Sequence, residues 1–95
     1  MNDQKQITIE IEPDVANGVY SNLVLINHGS SEFVIDFVSV MPGVDKAKVQ
    51  SRVILAPEHA KRLLTALQDN IAKYDEKFVK NDLIEKIQII SKGEA

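Results

Sequence analysis

The sequence predicts an α+β fold, a four-stranded antiparallel meander followed by one long amphipathic helix and a short C-terminal helix or strand. Three observations carry this. Up to residue 55 the apolar side chains recur with period two, the spacing of strands. At Pro57 the spacing changes to steps of three and four, the spacing of a helix. The segments between the periodic runs are short and contain Pro13, Gly18, Gly29 and Pro42-Gly43, so consecutive strands are expected to be neighbours.

The first expected strand is Gln6 to Glu12, where Ile7, Ile9 and Ile11 alternate with Thr8, Glu10 and Glu12. Such a strand buries one face and wets the other, which suits an edge. Pro13-Asp14-Val15-Ala16-Asn17-Gly18 fits a single helical turn, with proline near its start and glycine past its end. A second strand is expected from about Val19 to His28 and a third from Glu32 to Met41, joined through Gly29-Ser30-Ser31 as a hairpin. After the turn at Met41-Pro42-Gly43-Val44-Asp45, a fourth strand alternates Val49, Ser51, Val53 and Leu55 with Lys48, Gln50, Arg52 and Ile54. Pro57 then suits the first turn of a helix, because its missing N–H would have no intrahelical partner there, and Glu58 complements the positive end of the macrodipole. Ala60, Leu64, Leu67, Ile71, Tyr74 and Phe78 form one apolar stripe about six turns long. Leu67 and Ile71, in mid-stripe, are expected to be fully buried. Asn81-Asp82 can cap a short helix holding Leu83, Ile84 and Ile87, although Ile87 and Ile89 alternate equally well as a strand.

With 95 residues the chain has room for one domain, 1–95, and residues 1–5 and 91–95 are expected to be disordered. The composition, 44% hydrophobic and 26% charged, is that of a globular protein. With no cysteine, disulfides, thiolate catalysis and Cys-ligated zinc are excluded. Eleven basic residues against fourteen acidic ones give a net charge of -3, a poor start for a nucleic-acid binder. The longest aliphatic run, Leu23-Val24-Leu25-Ile26, is too short for a signal peptide or a membrane span, so no membrane partner and a cytoplasmic location are expected.

The middle strands carry the strongest functional expectation. Leu23, Val24, Leu25 and Ile26, and then Phe33, Val34, Ile35, Phe37 and Val38, place large apolar groups on both faces of the sheet. Two apolar faces need cover on both sides, and one helix covers one. A second copy of the chain, in a dimer or tetramer, is the simplest source of the rest. Burying three or four such side chains would contribute on the order of 5–10 kcal/mol per protomer before the costs of association. The competing expectation is that Leu83, Ile84, Ile87, Ile89 and Ile90 fold back over that face.

Several motifs also carry a resemblance. Tyr20-Ser21-Asn22, Glu32-Phe33-Val34-Ile35-Asp36-Phe37, Pro42, Val49, Ser51-Arg52-Val53-Ile54-Leu55, Pro57-Glu58-His59-Ala60-Lys61-Arg62-Leu63-Leu64, Leu67, Asn70-Ile71 and Tyr74 together resemble a family of short bacterial proteins known as a domain of unknown function. The resemblance runs from Ile7 to Phe78 and implies neither a reaction nor a ligand. The family pattern closes with an acidic residue after the tyrosine and then Phe-Gly, whereas this chain has Asp75 and then Phe78-Val79. In order of elements alone, the chain is similar to the export chaperone SecB, an analogy of architecture without a shared motif.

Candidate chemistry is sparse. His28 beside Gly29-Ser30-Ser31 has no third member for a nucleophilic triad, and His59 in Pro-Glu-His reads as a structural or solvated side chain of a first helical turn. His28, Glu32 and Asp36 lie four apart on a strand, about 13 Å per step, so they cannot chelate one ion together. No phosphate-binding or dinucleotide fingerprint is present. No enzyme, cofactor or metal is expected. Asp36 interrupts an apolar strand, and a buried carboxylate needs a cation, so Asp36 and Arg52 are expected to form a cross-strand ion pair. Lys46, Lys48, Arg52, Lys61 and Arg62 are the candidate contacts for an anion or nucleic acid. The reading the sequence favours is a non-enzymatic oligomeric protein-interaction module, whose partners are its own copies and another protein. The alternatives are a SecB-like chaperone or adaptor for unfolded segments and a nucleic-acid-associated accessory protein.

Overall fold

The computed structural model describes residues 6–80. The element order is α1 (Pro13–Ala16), β1 (Leu23–His28), β2 (Phe33–Ser39), β3 (Lys48–Leu55) and α2 (Pro57–Tyr74), continued by a π-helical turn, Asp75–Val79. The three strands form one antiparallel sheet in the order β1-β2-β3. By internal packing, residues 6–27 with 34–53 make one compact unit, and residues 28–33 with 54–80 make another.

The first of the four expected strands, Gln6 to Glu12, is absent among the described residues. Residues 6–12 have no strand partner, and Ile7, Ile9 and Ile11 are exposed, Ile9 at 93%. Alternation specifies which side chains share a face of an extended segment, but only a neighbouring strand converts that segment into a sheet. No such neighbour is present among the described residues. The sheet is therefore a three-stranded meander. The short helix or strand expected between residues 82 and 90 lies outside the described residues, as do residues 1–5 and 91–95.

In the first unit the register of the sheet is set beside β1 by Ser21 and Asn22. The Asn22 side chain imitates a peptide unit: its Oδ1 accepts from the Val40 N–H at 2.8 Å and its Nδ2 donates to the Val40 carbonyl at 2.9 Å. The Asn22 backbone N–H and the Ser21 hydroxyl both donate to the Val38 carbonyl, each at 3.0 Å. These bonds extend the β1-β2 ladder past the last strand residue and oppose a one-residue slip, which would turn every β1 side chain to the other face. Gly18 follows α1 with φ +74°, and Gly43 turns the chain between β2 and β3 with φ +79°. Both are left-handed conformations that a side chain disfavours.

Burial is confined to the middle strand. Ile35 and Val38 are the buried apolar residues among those described, and Asp36 is buried between them at 5% exposure. Phe33, Val34 and Phe37 are half-buried. Leu23, Val24, Leu25 and Ile26 of β1 remain exposed. A central strand is shielded by a neighbour on each side, whereas β1 and β3 each have an open edge.

In the second unit, α2 begins as expected, with Pro57 in its first turn and Glu58 near its positive end. Asp69 and Lys73, four residues apart, pair at 3.3 Å on its surface. The π-helical turn was not foreseeable from the apolar spacing, which continues through Phe78; the Tyr74 and Phe78 rings lie 5.2 Å apart across it. Burial corrects a second expectation. No residue of α2 is buried, and Leu67 and Ile71 are 53% and 51% exposed. The stripe has the helical period without the cover that period ordinarily implies.

Candidate interaction surface

Within the first unit, β2 and β3 hold Asp36 and Arg52 opposite each other. The Arg52 Nε donates to Asp36 Oδ1 at 2.7 Å and Nη2 donates to Oδ2 at 2.9 Å, a two-pronged guanidinium–carboxylate clamp. The carboxylate is covered while the arginine side chain stays 61% exposed, so the positive end of the clamp faces water. The hydrogen bonds from Arg52 hold the Asp36 carboxyl below the usual carboxylate range, burial opposes this, and the arginine charge adds to the lowering. In return the Arg52 pKa rises, first through the same hydrogen bonds and then through the carboxylate charge. No buried side-chain polar atom among the described residues lacks a partner. A satisfied clamp of this kind ties β2 to β3.

Lys46 and Lys48 line a shallow, mainly apolar depression of the first unit with Ser39, Met41, Val44 and Gln50. Lys61 and Arg62 line an open depression of the second unit with Thr65, Ala66 and Asp69. The five basic candidates thus divide between the two units, with an aspartate beside the second group. The histidines are accounted for locally. His28 ends β1 and stacks on Phe33, the ring centres 5.4 Å apart, and His59 lies 3.8 Å from its neighbour Glu58 in the first turn of α2. No group of three or more His, Cys, Asp or Glu among the described residues could hold a metal ion. No helix among them is long and apolar enough to cross a membrane.

What remains is apolar surface. Of the nine candidate interface residues, Ile35 and Val38 are covered within the chain and so are not available to a partner. Leu23, Val24, Leu25 and Ile26 are exposed, and Phe33, Val34 and Phe37 are half-buried. Two further groups emerge that the sequence had assigned to the interior or to the sheet. They are the α2 stripe of Leu63, Leu64, Leu67, Ile71 and Tyr74, and the isoleucines 7, 9 and 11. The signal for the second group was in the sequence, an alternating segment ahead of a proline, but its exposure depends on the missing neighbour.

The fold and this surface define a small α+β protein whose strands and helix present apolar faces outward. The chain belongs to the family described as "Protein of unknown function (DUF3467)", which it matches over residues 1–83. No curated protein and no solved structure matches it.

Proposed function

We propose that this protein is a non-enzymatic, self-associating interaction module. The observation that carries the reading is the contrast between two buried apolar side chains, Ile35 and Val38, and more than twenty large hydrophobic residues that are exposed outside β2. Two buried side chains contribute about 3–6 kcal/mol, far below the conformational entropy lost in ordering a chain of this length. The remaining cover must be present whenever the chain is folded. A second copy meets that condition, because it is made at the same time and in equal amount. Charged surface residues paired within their own helix, such as Asp69 with Lys73, leave the apolar stripe as the part of α2 suited to contact.

Binding of 8-anilinonaphthalene-1-sulfonate, measured over a dilution series, tests this. Weak dye binding at high protein concentration that rises as the protein is diluted supports an apolar surface covered by association. Strong binding at every concentration contradicts it. That second outcome would favour the chaperone reading, for which the exposed β1 residues Leu23 to Ile26 are the relevant observation. Suppression of the aggregation of a reduced, unfolded client at equimolar protein would then establish it.

A further inference from the structure

We infer that residues 6–12 of one copy add as a fourth strand to the β3 edge of a second copy, and that the exchange is reciprocal. The inference rests on the self-association proposed above and specifies how it is made.

The segment already has the form of a strand. It is extended, residues 7–11 make no backbone hydrogen bond among the described residues, and all seven side chains are exposed. Its isoleucines lie on one side and Thr8, Glu10 and Glu12 on the other. An extended segment with free N–H and C=O groups is a ready donor to an open sheet edge. The sheet order leaves two such edges, β1 and β3.

The side chains choose between them. β1 reads Leu-Val-Leu-Ile-Asn-His and offers the glutamates no charged partner. β3 places Lys48, Gln50 and Arg52 on one face and Val49, Ser51 and Val53 on the other. A strand laid antiparallel beside it with Ile11 against Val49 and Ile7 against Val53 sets Glu12 opposite Lys48 and Glu10 opposite Gln50, on the diagonals to Lys48 and Arg52. Slipping the register by one residue would lose both matches together, bringing isoleucine against lysine and glutamate against valine. None of Glu10, Glu12, Lys46 and Lys48 has an ion pair among the described residues, and the Arg52 side chain remains accessible beyond its clamp with Asp36. Each chain carries one donor segment and one matching edge, so two copies satisfy each other about a two-fold axis and leave neither the segment nor the β3 edge open.

Charge reversal in the full-length chain tests the exchange. Two variants are made, Glu10→Lys with Glu12→Lys, and Lys46→Glu with Lys48→Glu. All four positions are exposed, so folding should survive, and circular dichroism checks that it does. Association is measured by sedimentation, and strand formation by hydrogen exchange at the amides of residues 7–11. The wild type should associate and protect those amides. Each variant alone should associate roughly tenfold more weakly, because it sets like charges side by side. Mixing the two variants should restore association, since each donor then meets the edge of opposite charge on the other copy. Four results would overturn the inference. One is variants that associate like the wild type. Another is an associating wild type whose residue 7–11 amides exchange freely, which removes the strand exchange and leaves self-association standing. The third is a wild type that does not associate at all, which removes both. Recovery when all four changes share one chain, without recovery on mixing, would also overturn it by placing the pairing within a single chain.

Discussion

β2 and α2 are both rich in apolar residues at the spacing proper to their conformation, yet every buried residue among those described lies in β2 and none lies in α2. The difference is not one of hydrophobicity. β2 has a hydrogen-bonded neighbour on each side, β1 and β3, so its side chains are shielded by residues of the same sheet. The stripe of α2 has half its surface in water at Leu67 and Ile71. Periodicity therefore fixes conformation and the face that will be covered, and the neighbours decide whether the cover comes from the same chain.

The largest expected effect falls on the region already covered. Ile35→Ala should destabilise the fold by about 2–5 kcal/mol, the range for large-to-small changes in a core, read from the shift in a urea unfolding midpoint. If the loss stays below about 1 kcal/mol, β2 is not the core and the comparison with α2 loses its meaning.

A somewhat smaller effect is expected for Leu67→Ala. If a second copy covers the α2 stripe, the change should cost about 2–3 kcal/mol and weaken association, so that the midpoint depends on protein concentration more steeply than in the wild type. A loss under about half a kcal/mol with association unchanged would mean that the stripe stays in water.

Much of the fold was legible in the sequence. The α1 turn, the three paired strands and the start of α2 follow from period, turn residues and the proline at position 57, all of which act locally. Asp36 and Arg52 could be paired from the sequence because a carboxylate in an apolar strand needs a cation on a neighbouring strand, and the structure holds them in a clamp. The rest depends on neighbours that a linear pattern does not name. Ile7, Ile9 and Ile11 have a strand's spacing but no ladder, and Leu67 and Ile71 have a core helix's spacing but remain half in water. The role of Asn22 was equally hidden, since an asparagine whose amide stands in for a peptide unit is recognised only once Val40 lies opposite it.

The clamp sharpens the comparison from the side of β2. Its carboxyl titrates lower in the folded protein than in the unfolded chain. The unfolded state therefore takes up the proton first as pH falls. The clamp's contribution is complete above the ordinary aspartate pKa of about 3.9 and is lost as the pH drops through the lowered folded value. Asp36→Asn should lower stability at neutral pH and flatten the acid limb of a stability-versus-pH curve. An acid limb identical to that of the wild type would show that Asp36 does not contribute to it.

The smallest effect is expected at Gly18. A Cβ there would meet no atom within 4 Å, so Gly18→Ala tests only the left-handed backbone at φ +74° and should cost about 1 kcal/mol. Association should be untouched, because the position adds no apolar surface. A larger loss accompanied by weaker association would bring the α1 turn into the contact surface.

The central claim is that the apolar faces left open among the described residues are covered by another copy, and the molar mass in solution tests it most directly. Multi-angle light scattering across the micromolar range should return at least twice the 10.6 kDa of one chain, falling toward that value on dilution. A mass of 10.6 kDa at every concentration, from a protein that still unfolds cooperatively, would contradict it.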